Sequence, residues 1–444
     1  WRGPSGYGTE LLPLVVSDLG PHLYDGTTGI ALFLAALARA SGEERFHTVA
    51  LKTIAPLRHT LHRLARAPAE IERLGIQVGG LIGVGSWMYG LTLLGELLGE
   101  DALLDEAHAA ASRLAPEVIC RDDQLRVQAG VAGAILALLA LHARRPDRTS
   151  NGATPLELAR RCASHLAERR VETSAGPRAW PLSPGTPPVT GFSYGAAGIS
   201  YALLRLSEAT GEQPWRDLAR EGWSFVRAHY APEQGNWRDA RHVFESRHRP
   251  RRGTWADWWA AGTLDDLEPV SEAPPDSDRF LAIWCHGAVG IALARLAALD
   301  VEDGPEIRQE ILATVERLEG YALETGDLAP IADDLCCGHA GMIELFVEAD
   351  RILGRPSSLT AARALWARVR SRADAAGGFR LSAARGRDVF APTLFQGLAG
   401  LGYTLLRLGR PDSLPCLLRL EGPTACRGGS PCGREKSPAG RPGS

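Results

Sequence analysis

Cysteine is scarce in this chain. There are eight in 444 residues: Cys120, Cys162, Cys285, Cys336, Cys337, Cys416, Cys426 and Cys432. So few thiols at irregular spacing do not make a disulfide framework, and they fit a reducing, cytoplasmic setting. Long apolar runs are also missing. The longest, such as "GIALFLAALA" and "AILALLALHA", fall well short of the roughly 20 residues that a membrane-spanning helix needs, and no signal-peptide pattern precedes them. Net charge is small, formally −3, so no basic field marks the chain for nucleic acid. Strand-like alternation is rare. The sequence opens on Trp1 rather than Met, which reads as a piece of something longer.

What is present is an ordinary globular composition, 45% hydrophobic and 23% charged, with enough apolar material for a sizeable core. One pattern recurs: Gly-x-x-Gly at the head of an apolar, helix-forming run. It occurs as "DGTTGIALFLAALA", "GGLIGVGSWMYGLTLLGELL", "AGVAGAILALLAL", "YGAAGISYALLRL", "HGAVGIALARLAAL", "CGHAGMIELFVEA" and "QGLAGLGYTLLRL". The seven copies lie roughly 50 to 90 residues apart, the scale of a repeat architecture. More polar helical stretches such as "LLDEAHAAASRLA" lie between them. Each repeat therefore reads as a helix pair, one apolar and one amphipathic, and glycines at the apolar helix starts allow close backbone approach. Seven such pairs can stack as an open solenoid or close into a ring, and only the ring needs no polar end caps. The expected fold is all-α: an α/α toroid with the apolar helices inside and the glycine turns gathered at one face, over residues 1–421. Residues 174–190 and 231–279 read as surface excursions. The tail 422–444, almost without apolar residues, reads as disordered, so its Cys426 and Cys432 are discounted.

Two repeats carry thiols at their helix starts: "WCHG" with Cys285, and "CCGH" with Cys336 and Cys337. In a ring, equivalent positions of neighbouring repeats lie side by side, so these thiols should converge. Three thiolates, or two and an imidazole, make a soft site for Zn²⁺ with a fourth position open to water or substrate. A helix N-terminus also favours the thiolate. His286 and His339 are close enough in sequence to be the third ligand or a proton carrier. The bland alternative is that these cysteines are small buried hydrophobes.

These motifs, together with "LYDGTTGIALFLAALA", "GFSYGAAGISYALLRL" and "PTLFQGLAGLGYTLLRLGRPDSLPCLL", resemble the lanthionine synthetase C-like cyclases, most closely the C-terminal cyclase domain of class II lanthipeptide synthetases. The resemblance implies an α/α toroid holding one zinc. It implies addition of a peptide cysteine thiol to dehydroalanine or dehydrobutyrine, forming a (methyl)lanthionine thioether in a dehydrated lanthipeptide precursor. It also implies ligands Cys285, Cys336 and Cys337, the last in the place where the family usually has histidine, as in a "CCG" subgroup. An N-terminal kinase-like dehydratase domain, using ATP and Mg²⁺, would supply the dehydro residues.

Two positions depart from the family. The fourth repeat usually carries a histidine assigned to acid–base work, and "GFSYG" has Tyr194 there. The aspartate that often orients that histidine is replaced by Arg126 in "RVQAGVAG". Proton chemistry then falls to His286 and Tyr194, or the domain is an impaired cyclase that serves as a precursor-binding scaffold. Trp284 reads as a core or pocket wall. Asp333 and Asp334 read as helix caps, or as partners of the zinc shell or a substrate. His22, His59, His62, His108, His142 and His165 read as ordinary surface or core histidines. Toroidal glycosidases need two carboxylates facing each other across a sugar, and Asp333, Asp334 and Glu344 lie too close in sequence for that. The prenyltransferase β subunit, a second zinc toroid, uses Asp, Cys and His, which these motifs do not match.

Overall fold

The computed structural model describes residues 1–5, 15–67, 70, 75–239, 241, 248–251, 267–269, 280–384 and 389–423. The expected disordered tail, and with it Cys426 and Cys432, falls outside them from residue 424 onward.

Each Gly-x-x-Gly run forms a helix. In chain order these seven inner helices are Thr27–Ser41, Val84–Leu98, Val131–His142, Ala196–Thr210, Ala288–Ala297, His339–Leu353 and Leu398–Gly409. They are apolar on nearly all sides. Between Val131 and Leu141, for example, all but Leu139 are buried. A helix without a polar face must be enclosed on every side, and amphipathic helices do this from outside. In Gln213–Arg227 the buried side is Leu218, Ala219, Gly222, Trp223, Phe225 and Val226. Each inner helix packs against the next, and the seventh packs against the first. The ring is closed, which is an α/α toroid, and one continuous core runs from Leu19 to Leu420. Among the described residues the strands form three short antiparallel pairs, one of which puts Trp237 into that core.

One glycine of each repeat, the first of the pair in all but the second repeat (Gly83), caps the helix start, and the residue two before it joins a ring of backbone hydrogen bonds around the mouth. The N–H of Tyr24 donates to the carbonyl of Leu81, Leu81 to Gln128, Gln128 to Ser193 and Ser193 to Cys285. Trp284 then donates to Cys336, Cys336 to Phe395, and Phe395 back to Tyr24. Six links join equivalent positions. The link into Cys336 comes from Trp284, one residue earlier than the pattern requires.

Close packing explains the second glycine. A Cβ on Gly290 would stand 2.0 Å from the Trp284 carbonyl oxygen and 2.8 Å from Phe192 Cβ, so no larger residue fits without moving the mouth.

The structure departs from the sequence reading in two places. Six repeats have outer helices, but no outer helix follows the seventh among the described residues. Instead the segment Leu414–Glu421 turns into the ring. The phenol of Tyr89 donates to the Glu421 carbonyl at 2.7 Å, that of Tyr403 to Pro415 at 2.8 Å, and the Trp284 indole to Leu418 at 2.9 Å. Those partners come from different sides of the ring, so the segment fills its centre. Residues 174–190 are not a plain surface excursion either. Trp180 is 1% exposed, and its indole donates to Leu166 O at 2.8 Å, which straps the segment to the third repeat.

The segment in the centre is held by a buried ionic network. Arg407 bonds Glu344 and, at 2.5 Å, Glu348. Arg419 bonds Glu348 at 2.9 Å and Glu421 at 2.6 Å, and Arg351 bonds Glu421 at 3.0 Å. Burial opposes ionisation of Glu421, but Arg419 and Arg351 outweigh it and bring the carboxyl down to about 2.

Candidate metal centre

At the mouth, the starts of the fifth and sixth inner helices bring three sulfurs together. Cys285 Sγ lies 3.8 Å from Cys337 Sγ, and Cys337 Sγ lies 3.4 Å from Cys336 Sγ. All three lie within 4.8 Å of one another. Cys285 and Cys336 are buried and Cys337 is half-buried. The side-by-side placement of equivalent repeat positions produces this: Cys285 and Cys336 each lie two residues before a helix-starting glycine, and Cys337 one residue before it. Gly191, from the fourth repeat, lets the Cys285 strand come close. A Cβ there would stand 2.5 Å from the Cys285 carbonyl oxygen and 2.8 Å from His286 Cα.

The sulfurs share charge unevenly. Hydrogen bonds from the Cys336 and Cys337 thiols hold Cys285 well below the usual thiol range, and Arg241 helps. Sharing those bonds with Cys285 pushes Cys336 and Cys337 well up. One thiolate is accommodated, and three need a cation. That donor set, soft and convergent, fits a divalent zinc-like ion, so this cluster could hold a metal.

Asp334 is fully buried and braces the loop. It accepts the backbone N–H of Cys337 at 3.0 Å and of Ser382 at 2.7 Å. Burial, and then the nearby Cys337 charge, raise its carboxyl to about 7. Asp333 accepts from His339 Nδ1 at 3.1 Å, from the Arg380 N–H at 2.7 Å and from Arg372. Neither aspartate caps the sixth inner helix, whose N-cap is Gly338 with no side-chain bond. Asp334 instead bonds the backbone at Cys337, beside the thiols.

His339 does not face the sulfurs. Its Nδ1 meets Asp333 and its Nε2 lies 2.9 Å from the Tyr321 hydroxyl, so both ring nitrogens are engaged. Of the candidates for a third ligand, Cys337 is the residue that reaches the cluster.

His286 and Tyr194 stack, with centroids 4.6 Å apart and planes at 15°. Arg126 covers the other partner, its guanidinium carbon 4.9 Å from the Tyr194 ring centre. Burial, then Arg241 and Arg126, push His286 well below the ordinary imidazole range. Burial pushes the Tyr194 phenol up against the opposing pull of Arg126. His286 Nδ1 is buried with no hydrogen-bond partner among the described residues. Trp284 is a core wall, as expected, packed against Phe192 and Phe395 with centroids at 5.6 and 5.1 Å.

The sequence reading missed Tyr24, whose hydroxyl donates to Cys336 Sγ at 3.0 Å, and Arg241, paired with Asp239 at 2.6 Å. The signal for Tyr24 was available. It occupies the same repeat position as Cys285 and Cys336, two before the first glycine.

Fold and site together define a helical toroid with a three-thiol centre at its mouth. The lanthionine synthetase C-like protein family model matches residues 17–419, and the chain belongs to that family. Among solved structures it is similar to nisin cyclase at 16% identity, covering 89% of this chain and 90% of that one, with a TM-score of 0.57. It is also similar to a sugar epimerase from a ruminal bacterium at 12% identity over 93% of each chain, with a TM-score of 0.44, too weak a likeness to carry an argument. A comparison with curated proteins finds no match. No helix among the described residues is long and apolar enough to cross a membrane.

Proposed function

We propose that the chain is a zinc-dependent peptide cyclase that adds cysteine thiols to dehydroalanine or dehydrobutyrine, forming (methyl)lanthionine rings in a dehydrated lanthipeptide precursor. The observation that carries this reading is the convergence of Cys285, Cys336 and Cys337 within 4.8 Å in a chain of this family. A zinc ion held by those sulfurs would lower the pKa of a peptide thiol entering the fourth position, so that thiolate is present at neutral pH. The addition forms a bond between sulfur and the dehydro residue's β-carbon, and its π electrons pass to the carbonyl as an enolate. The thiol's proton ends on the α-carbon, and nothing is oxidised or reduced. His286 follows Cys285 in sequence and its Nδ1 has no partner among the described residues, so it is the group to carry that proton. Tyr194 stacks on it and fixes the ring's orientation. The dehydro residues must be made first, so a dehydratase acts upstream, from outside these 444 residues. A cytoplasmic setting keeps the thiols reduced.

One observation favours a second reading. Arg126 lies over Tyr194 where the family often pairs an aspartate with a histidine, which suits an impaired cyclase that binds its precursor without closing rings. A dehydrated, cysteine-containing peptide separates the two. Loss of free thiol without a mass change, with fragmentation blocked across the new ring, supports the cyclase. Binding with every thiol still free supports the scaffold.

A further inference from the structure

Tyr24 and Cys336 are 312 residues apart in sequence, and closure of the ring brings the phenol hydroxyl to 3.0 Å from the sulfur. Both residues are 2% exposed. The phenol is aimed from two directions. Its ring stacks on Phe395, centroids 5.0 Å apart and planes at 15°, and its backbone is tied to Leu81 and Phe395 on either side.

A divalent ion held by three thiolates leaves one net negative charge in a site that is largely out of water. Buried charge is costly unless hydrogen bonds spread it, and groups around a metal site that bond to its ligands tune the ligands' donor strength. Of the three sulfurs, Cys336 is the one that receives the phenol O–H.

We propose that Tyr24 is a positioning residue of the metal centre: its O–H donates to the Cys336 sulfur, draws negative charge from it, and makes Cys336 a weaker electron donor than Cys285 and Cys337. This rests on the reading of the three thiols as a metal site.

The test uses Co²⁺ in place of the native ion, because sulfur-to-cobalt charge-transfer absorption in the near ultraviolet reports the electron richness of the ligands. The metal-free protein would be titrated with Co²⁺ as wild type, as Tyr24→Phe, and with 3-fluorotyrosine placed at position 24. Phenylalanine keeps the stack on Phe395 and loses the donor. Fluorotyrosine keeps the phenol O–H and is a stronger donor. Tyr403→Phe, which removes a buried phenol bonded to Pro415, is the control for folding effects. The expected result is one Co²⁺ per chain throughout, a band moved to longer wavelength in Tyr24→Phe, moved to shorter wavelength with fluorotyrosine, and unmoved in Tyr403→Phe. A wild-type band that neither change at position 24 displaces would overturn the role of Tyr24 and leave the metal centre standing. A wild-type protein with no sulfur-to-cobalt absorption would overturn the metal-centre reading itself, and the role of Tyr24 with it.

Discussion

The N–H of Trp284 donates to the carbonyl of Cys336 at 3.2 Å, one residue out of step with the six other backbone links around the mouth. The slip occurs between the two helix starts that carry the three thiols. Trp284 is also anchored on its other side, by its indole N–H to Leu418 in the segment that fills the ring. The thiol loop is thereby fixed to the molecule's centre, and that coupling has measurable consequences.

Trp284→Phe keeps an aromatic ring between Phe192 and Phe395 but leaves the Leu418 carbonyl without its donor. An unsatisfied buried carbonyl costs about 1–3 kcal/mol. Denaturant unfolding should show a loss of that size, with the unfolding slope unchanged.

Gly191→Ala should damage the site more than its size suggests. The new Cβ would overlap the Cys285 carbonyl and the His286 backbone, neither of which is the free end of a side chain. Overpacking of this kind costs about 1–3 kcal/mol. Here the displaced atoms carry a metal-site sulfur and the stacked imidazole, so zinc affinity measured against a chromophoric chelator should fall along with stability. Gly304→Ala, where a Cβ meets nothing within 4 Å, should leave zinc affinity unchanged.

The ring was legible in the sequence because one glycine pattern recurs seven times and because apolar runs of that length need enclosure. The thiols were legible as a cluster because Cys285 and Cys336 hold the same place in adjacent repeats. The choice between Cys337 and His339 was not, since spacing does not say which way a side chain turns. Asp333 and Tyr321 take both nitrogens of the His339 imidazole, and Asp333 reads in sequence as a helix cap. Tyr24 shares the repeat position of Cys285 and Cys336, and that position alone marks it, since a tyrosine beside a glycine turn is otherwise ordinary core material until the ring closes on it. The inward turn of Leu414–Glu421 has no local signal. Its acceptors are met by Tyr89, Trp284 and Tyr403, which come from three separate repeats.

Arg407→Met should be among the most destabilising changes outside the site. Arg407 is fully buried and bonds both Glu344 and Glu348. Removing it strands the Glu344 carboxylate in the core, at a cost of about 3–5 kcal/mol, while Glu348 keeps Arg419 and Arg351. A large drop in the thermal midpoint is expected.

Acid should weaken the same network. The folded-state pKa of Glu421 is lowered to about 2, against roughly 4.3 in an unfolded chain. Its contribution is therefore complete above about pH 5 and is lost as the pH falls toward 2, amounting to at most about 3 kcal/mol. Asp333, also held below the usual range despite its burial by His339 and Arg372, shifts stability in the same direction. The stability gap between wild type and Glu421→Gln, followed by urea unfolding, should be widest near neutral pH and close as the pH approaches 2.

The central claim is that Cys285, Cys336 and Cys337 hold a catalytic zinc. Its most direct test is the metal content of the protein purified without chelator, beside a Cys336→Ala, Cys337→Ala double variant shown by circular dichroism to be folded. About one zinc per wild-type chain and none in the variant are expected. A folded wild-type protein without zinc, or a variant that retains it, would contradict the account.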